Sequence, residues 1–184
     1  MVKKDKAKTF KDVEVKLIAE LMRNSRRSDR DLAHSVGVSQ PTVSRIIKRL
    51  ETERIIQEYT IIPNFNKLGY NICALTFAIF ATPQDMTALR KMIEEYGRRL
   101  SEIPEAVVIE RGIGEKASGV VISFHETYSE YKKFLEWLNQ FSASTNYALH
   151  HFIIDLDDKM HLRYLTFSTL AEHFQRKKEA KSHE

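Results

Sequence analysis

Residues 32–56, LAHSVGVSQPTVSRIIKRLETERII, constrain the fold of this chain more than any other segment. A short helix with an apolar face ends at Gly37, where the chain needs a residue that tolerates a left-handed conformation. Ser39 is a good N-cap for a second helix. The apolar positions of that helix recur at i, i+3, i+4 and i+7, namely Val43, Ile46, Ile47 and Leu50. This spacing predicts a helix-turn-helix.

The opposite face of the second helix is polar and basic. It carries amide, hydroxyl and guanidinium groups, which are the types that reach base edges and phosphates in a major groove. We expect DNA binding by Ser39, Gln40, Thr42, Ser44, Arg45, Lys48 and Arg49. Of these, the residues on the first turns would read bases, and Lys48 and Arg49 would contact phosphates. The alternative is a trihelical protein-interaction module, because winged helices serve both purposes.

The basic charge of the chain lies with this motif. The formal net charge is +4, and residues 1–60 hold 14 Lys and Arg against 9 Asp and Glu, whereas the remainder holds 15 against 16. This distribution suits a nucleic-acid-binding head on a near-neutral body. With Cys73 as the only cysteine, no intrachain disulfide or cysteine metal site can form. The sequence shows no leader and no apolar run that spans a bilayer, so we expect a cytoplasmic protein without a membrane partner.

The first domain is predicted to occupy residues 1–62. Its elements would be a helix over 12–23 capped by Asp12, a helix over 28–37, a helix over 39–53, and a strand over 58–62 that forms a reduced wing. Ser28 and Asp31 have the spacing of a capping box at the start of the second helix. Residues 63–71, PNFNKLGYN, combine Pro, Gly and Asn without a period and form the linker.

From residue 72 the pattern changes to alternating strands and helices. We predict strands over 72–81, 106–113, 119–124 and 147–156, with helices over 83–96 and 128–141. This order is βαββαβ, the ferredoxin-like arrangement, in which two helices cover one face of a four-stranded antiparallel sheet. The chain is therefore expected to be α+β, with a winged helix-turn-helix before a ferredoxin-like domain at 72–156. A C-terminal extension at 157–184 has helical spacing.

The strands carry more apolar side chains than one helical layer covers. The set comprises Ile72, Leu75, Phe77, Ile79, Val108, Val121, Phe152 and Ile154. A second copy of the chain is expected on the uncovered face, which makes the protein a homodimer or a higher oligomer.

Three stretches resemble one known family. LAHSVGVSQPTVSRIIKRLE and IIPNFNKLGY follow its order of residues, and FKDVEVKLI is similar to its first-helix pattern. Together with the βαββαβ pattern, they resemble the Lrp/AsnC family of prokaryotic transcriptional regulators, the feast/famine regulators, over about residues 10–156. The resemblance implies that the head binds DNA, that the second domain forms dimers and often larger rings, and that a small effector, commonly an amino acid, binds between subunits.

The chain departs from the family in two places. Arg54 stands where members usually have glycine, which costs on the order of 1 kcal/mol if the residue is left-handed. The family's Gly-x-Tyr-Asp pattern between the second and third strands is replaced by GEKASG at 114–119. Without that carboxylate we expect no amino-acid effector held in the usual manner. Backbone N–H groups and side-chain donors could instead hold an anion there, at Gly112, Gly114, Lys116 and Ser118, unless the segment is a plain β-turn.

An enzyme is the alternative from a different class. Sirohaem decarboxylases look like this family in both domains, and the residue types they would use are present as His150, His151, His161, Arg111 and Arg163. Adjacent residues on a strand point to opposite faces, however, so His150 and His151 cannot both enter one pocket. The other histidines lack HExxH spacing and cysteine partners. We therefore expect no enzymatic activity, no cofactor and no metal.

Overall fold

The computed structural model divides the chain into two compact units. It describes residues 10–80, 87, 90, 94, 97–99, 102–112, 114, 117–140, 147–160 and 162–181. The first unit comprises Met1–Ile62 together with Leu162–Glu184, and the second unit is Pro63–His161. The second unit is thus inserted in sequence between two parts of the first. The C-terminal extension, which the sequence did not assign to either domain, contributes to the first unit.

The described elements follow the predicted order closely. They are α1 (Asp12–Arg23), α2 (Asp29–Val36), α3 (Gln40–Thr52), a short 3-10 helix (Asn66–Leu68), β1 (Ile72–Phe80), β2 (Ala106–Arg111), β3 (Gly119–His125), α4 (Tyr128–Gln140), β4 (Tyr147–Asp155) and α5 (Ser168–Lys181). The three N-terminal helices and all four strands of the second domain are confirmed to within a few residues. The predicted helix over 83–96 lies largely outside the described residues.

The ends of the first helices show why they stop where they do. The Asp31 N–H donates to Ser28 Oγ at 3.2 Å, and the Ser28 N–H donates back to the Asp31 carboxylate at 3.3 Å, which is the predicted capping box. Gly37 ends α2 with φ +77°. Arg54 follows α3 with φ +53°, so the anticipated left-handed side chain is present. The cap of α1 was wrongly predicted: it is Lys11, whose N–H donates to Glu14 Oε2 at 3.0 Å.

The predicted wing strand over 58–62 is wrong. Residues 57–64 have no regular secondary structure. A strand needs a ladder partner, and within the described chain this segment is attached by side chains instead. The Tyr59 hydroxyl donates to Glu51 Oε1 at 2.9 Å, and the Ser25 hydroxyl donates to the Thr60 carbonyl at 3.0 Å. The wing is therefore a loop that follows α3.

The core of the first unit lies between its helices. Leu17 of α1, Leu32 and Ala33 of α2 and Val43 of α3 are buried against one another. Helix α5 packs on α1, where Ala171 is fully buried. The helix-turn-helix is thus a set of three short helices with a fourth helix supplied from the far end of the chain.

The second unit contains a four-stranded sheet of order β2-β3-β1-β4. All neighbouring pairs are antiparallel, and Thr76 on the central strand β1 lies opposite Val121 on β3 and His151 on β4. This is the ferredoxin-like order, which confirms the predicted α+β fold. Helix α4 covers one face of the sheet, where Tyr131 and Phe134 pack with Ala74 in the core.

The opposite face of the sheet carries most of the predicted apolar set. By register, Leu75 shares this face with Ile122 and Phe152, and the side chain of Phe152 is 60% exposed. Ile72 and Val121 belong to the covered part of the set, because both pack into the core beneath α4. The remaining six of the eight residues lie on the uncovered face. Part of it is covered by the segment before β1, since Phe65 stacks on Phe124 with ring centroids 4.0 Å apart.

Candidate nucleic-acid interface

Helix α3 has one buried and one exposed side. Val43 and Leu50 are fully buried, which fixes the rotation of the helix about its axis. The opposite side presents Gln40, Ser44, Arg45 and Lys48 to solvent, while Ser39 is exposed at the N-cap and Thr42 and Arg49 are half-buried. The structure therefore brings Ser39, Gln40, Ser44, Arg45 and Lys48 onto one exposed surface, with Thr42 and Arg49 only partly accessible. Their contact with DNA itself stays a prediction.

Two cationic side chains on this surface are available for a ligand. Arg45 and Lys48 lie three residues apart and hence on the same side of the helix. Neither has a hydrogen-bond or ion-pair partner among the residues that the structure describes. A guanidinium can donate two hydrogen bonds to the edge of a guanine in a bidentate contact, and an ammonium can neutralise a phosphate. These two groups can do so without breaking an internal contact.

The hydroxyl groups of the surface are already engaged inside the unit. Ser44 Oγ donates to the carboxylate of Asp29 in α2 and lies 3.2 Å from the Gln40 carbonyl. Ser39 Oγ and Thr42 Oγ1 lie 2.8 Å apart. A hydroxyl has one proton and two lone pairs, so Ser44 retains only acceptor capacity toward a further partner. In a major groove, acceptors recognise the exocyclic amino groups of adenine or cytosine.

Arg49 has a different environment from Arg45. It forms an ion pair with Glu14 of α1, whose side chain is 3% exposed. Burial alone would raise the pKa of Glu14, but hydrogen bonds from the Arg49 side chain and the Lys11 backbone prevail and hold that pKa below its ordinary value. Arg49 therefore attaches α3 to α1. Its assignment as a phosphate contact is untested, and the ion pair competes with that role.

Sequence reasoning overlooked this pair. A signal was present, because Glu14 lies between Val13 and Val15 on the buried side of α1. A charged residue in a buried stripe requires a partner of opposite charge. The pattern cannot say which of the basic residues on α3 is that partner.

The described residues of the predicted effector segment, between β2 and β3, form hydrogen bonds with the chain itself. The Gly112 N–H donates to the Ser118 carbonyl at 3.0 Å, the Gly114 N–H to the Ala117 carbonyl at 3.1 Å, and the Ser118 N–H to the Ala78 carbonyl at 2.8 Å. Carbonyl groups of the chain itself accept these three N–H groups, which competes with a role in holding an anion, and the assignment of the segment as an effector site stays a prediction. Neither Gly112 nor Gly114 has a positive φ, so the turn does not need glycine for its dihedrals. Lys116 lies outside the described residues.

The histidines of β4 lie on opposite faces of the sheet. His151 faces α4, with Nδ1 3.4 Å from Thr76 Oγ1 and its ring 6.0 Å from that of Tyr131. Burial lowers the pKa of His151, which favours the neutral ring. His150 is exposed on the other face.

His161 is outside the described part of the chain. In that part, no group of three or more His, Cys, Asp or Glu residues has the arrangement of a metal site. Within the same ranges, no helix has the length and hydropathy needed to cross a membrane.

Comparison with known proteins agrees with this architecture. Residues 11–57 match the family described as winged helix-turn-helix DNA-binding. An uncharacterized HTH-type transcriptional regulator of Pyrococcus furiosus is 31% identical over 103 residues, which cover 56% of this chain and 64% of that protein. The chain thus matches less than two thirds of the length of this curated relative.

Solved structures match over a longer range at lower identity. B. subtilis LrpC superimposes with a TM-score of 0.64 and 19% identity, covering 85% of this chain and 100% of its own. E. coli AsnC gives a TM-score of 0.65 and 16% identity, covering 86% and 99%. A transcriptional regulator of Neisseria meningitidis in complex with L-Met gives a TM-score of 0.66 and 16% identity, covering 88% and 99%.

The first unit therefore has a winged helix-turn-helix fold, and its residues 11–57 are similar to a family described as DNA-binding. The chain as a whole has the fold of the Lrp/AsnC transcriptional regulators. The resemblance that the sequence motifs predicted is confirmed.

Proposed function

We propose that this protein is a sequence-specific DNA-binding transcriptional regulator and has no enzymatic activity. The observation that carries the proposal is the surface of α3, where Val43 and Leu50 are buried and Gln40, Arg45 and Lys48 face solvent. Its similarity to proteins named HTH-type transcriptional regulators supports the same function. Acting on genomic double-stranded DNA, the protein would work in the cytoplasm.

In this proposal α3 enters the major groove. Gln40 and Arg45 donate to base edges, and Ser44 accepts from a base amino group because its proton is held by Asp29. Lys48 contacts a phosphate, which adds affinity without sequence preference. Sequence readout thus comes from the first turns of the helix and positioning from the later ones.

The second unit would supply the oligomer. We place a second copy on the uncovered sheet face around Leu75, Phe77 and Phe152, so that two recognition helices reach half-sites about one helical turn or a multiple of it apart. The operator would then be an imperfect palindrome. Higher assemblies of such dimers remain compatible with the fold.

We propose that any effector binds at the subunit interface beside the turn between β2 and β3. Since the N–H groups of Gly112, Gly114 and Ser118 donate to carbonyls of the chain itself, a side-chain donor such as Lys116 would hold it. The structural neighbour from N. meningitidis was solved in complex with L-Met. In the GEKASG segment of this chain, Glu115 is the only carboxylate that could hold an α-amino group.

The effector proposal is tested by thermal shift against the twenty amino acids. A ligand that binds the folded state raises the melting temperature by mass action. We expect no shift at millimolar concentration. A clear shift with one amino acid, abolished by Gly114→Trp, would support the location and contradict the expectation that the site does not hold amino acids. A shift that Gly114→Trp leaves unchanged would contradict the location.

The function itself is tested by selecting bound fragments from a random DNA pool. We expect enrichment of one imperfect palindrome. Enrichment should be weaker with Arg45→Ala, while Lys16→Ala, a change on the exposed side of α1, should leave it intact. A wild-type pool that stays random after repeated rounds would overturn the proposal.

A further inference from the structure

Helix α1 is covered on more than one side. Of its twelve residues only Asp12 and Lys16 are exposed. Leu17 packs against α2 and α3, but Val15 and Ala19 are also buried, at 3% and 0% exposure. A helix buried around most of its circumference needs a second packing partner. Helix α5 is that partner.

The contact between α5 and α1 is closely packed. Ala171 is fully buried, and its small side chain lets the two helix backbones approach. Phe174 packs edge to face against Phe10, with ring centroids 6.2 Å apart and an interplanar angle of 76°. Ala171, Phe174 and Gln175 lie at i, i+3 and i+4, so they form one stripe of α5 that faces α1.

A polar connection continues from α5 across α1. Arg23 Nη2 donates to Gln175 Oε1 at 2.5 Å, and Arg23 Nη1 lies 2.7 Å from Glu20 Oε1. The other oxygen of Glu20 pairs with Arg27. Arg27 donates in turn to Ser35 Oγ of α2 at 2.5 Å. Three charged side chains thus link α5 to α2 through charge-assisted hydrogen bonds.

Both α1 and α2 contact α3, which is the recognition helix of the proposed function. Asp29 of α2 accepts from Ser44, and Glu14 of α1 pairs with Arg49. The position of α3 is therefore set by two helices, and α5 contacts one of them directly and reaches the other through Arg23, Glu20 and Arg27.

We propose that α5 is a positioning element for DNA recognition: its stripe of Ala171, Phe174 and Gln175 braces α1 and α2 so that α3 has the orientation required in the major groove. The inference rests on the proposed DNA-binding function. It assigns a role to a helix that begins more than a hundred residues after α3 in the chain. The contribution is indirect, and α5 itself need not touch DNA.

The basic run of α5 offers the competing explanation. Arg176 is 80% exposed, and its nearest carboxylate, that of Glu172, lies 3.8 Å away. Arg176 and Lys177 could contact phosphates directly. The two roles differ in salt dependence, because each lost phosphate contact reduces the slope of log affinity against log salt by about 0.9, whereas a change in helix orientation lowers affinity at an unchanged number of contacts.

The experiment uses the full-length protein and the DNA fragment selected by the wild type. Gln175→Ala removes the acceptor of Arg23, and Gln175→Glu restores one; Ala171→Trp forces α5 away from α1. His173→Ala, on the exposed side of α5, is the matched control. Affinity is measured at several salt concentrations, and folding is followed by circular dichroism.

We expect Gln175→Ala to weaken binding about fivefold, Gln175→Glu to restore it and Ala171→Trp to weaken it further, all at the wild-type salt slope. Should Ala171→Trp fail to fold, the two Gln175 variants decide. Wild-type affinity in Gln175→Ala would overturn the inference alone. A reduced salt slope in Arg176→Ala/Lys177→Ala would assign α5 to direct contact instead. A wild type that binds no fragment would overturn the proposed function and this inference with it.

Discussion

In helices α1–α3 the apolar stripes are covered by the helices of their own unit, whereas the described residues of the sheet unit leave much of one face of the strands uncovered. Leu17, Leu32 and Val43 are fully buried within the first unit. Phe152 and Ile154 of the second unit are 60% and 36% exposed. Helix α3 thus directs charged groups outward, and the uncovered sheet face directs apolar groups outward. In the proposed function, DNA and a second copy of the chain would be recognised by these two separate surfaces.

The largest effect is expected from a substitution on the uncovered sheet face, which leaves the surface of α3 unchanged. Phe152→Asp places a charge on the uncovered sheet face and should convert an oligomer into a monomer, because an apolar interface does not accommodate an unpaired carboxylate. Light scattering should report a multiple of 21.5 kDa for the wild type and 21.5 kDa for the variant. DNA affinity should fall about a hundredfold through the loss of bivalency.

The matched control is Ser129→Asp, which adds the same charge at an exposed position of α4. It should keep the wild-type mass. A wild-type protein that is already monomeric at micromolar concentration would show that the open sheet face has no partner of its own kind.

A second prediction concerns the ion pair of the first unit. The pKa of Glu14 is lowered in the folded state, so its contribution to stability is full above the ordinary glutamate value of about 4.3 and is lost as the pH falls through the lower folded value. The melting temperature of the wild type should therefore fall more steeply below pH 4.3 than that of Glu14→Gln. Asp12→Asn, on the exposed side of the same helix, should follow the wild type. Parallel curves for Glu14→Gln and the wild type would contradict the role given to this pair.

The smallest expected effect is at the end of the recognition helix. Arg54 has φ +53°, a conformation that glycine adopts without strain. Arg54→Gly should stabilise the protein by about 0.5 kcal/mol, because relief of strain is partly offset by the greater freedom of glycine in the unfolded chain. Arg54→Ala should give no such gain. Urea unfolding measures both, and equal values for the two variants would mean that the backbone at this position is not strained.

The sequence predicts best where the governing interactions are local. The capping box at Ser28 and the left-handed Gly37 depend on residues four positions apart or fewer, and both are confirmed. The four strands of the sheet are also predicted correctly, because each is indicated by the apolar pattern of its own residues. The order of strands and helices along the chain then indicates the fold. The spacing of Val43 and Leu50 likewise predicts which side of α3 is buried and which side faces solvent.

Apart from the cap of α1, which is Lys11 and not Asp12, the features that were predicted wrongly or overlooked involve partners that a periodic pattern does not name. The segment over 58–62 has strand composition but finds no ladder partner among the described residues. The docking of α5 on α1, the Arg23–Gln175 hydrogen bond and the Glu14–Arg49 pair join residues 35 or more positions apart. Such contacts emerge only when the chain is folded.

The central claim is that α3 reads DNA sequence, and it is tested most directly by comparing Arg45→Ala with Lys48→Ala on the selected palindrome and on a scrambled fragment. We predict that Arg45→Ala weakens specific binding by about 1–3 kcal/mol while nonspecific binding changes much less. Lys48→Ala should weaken both equally and reduce the salt slope by about 0.9. Equal losses on both fragments for Arg45→Ala, or unchanged specific affinity, would contradict the account.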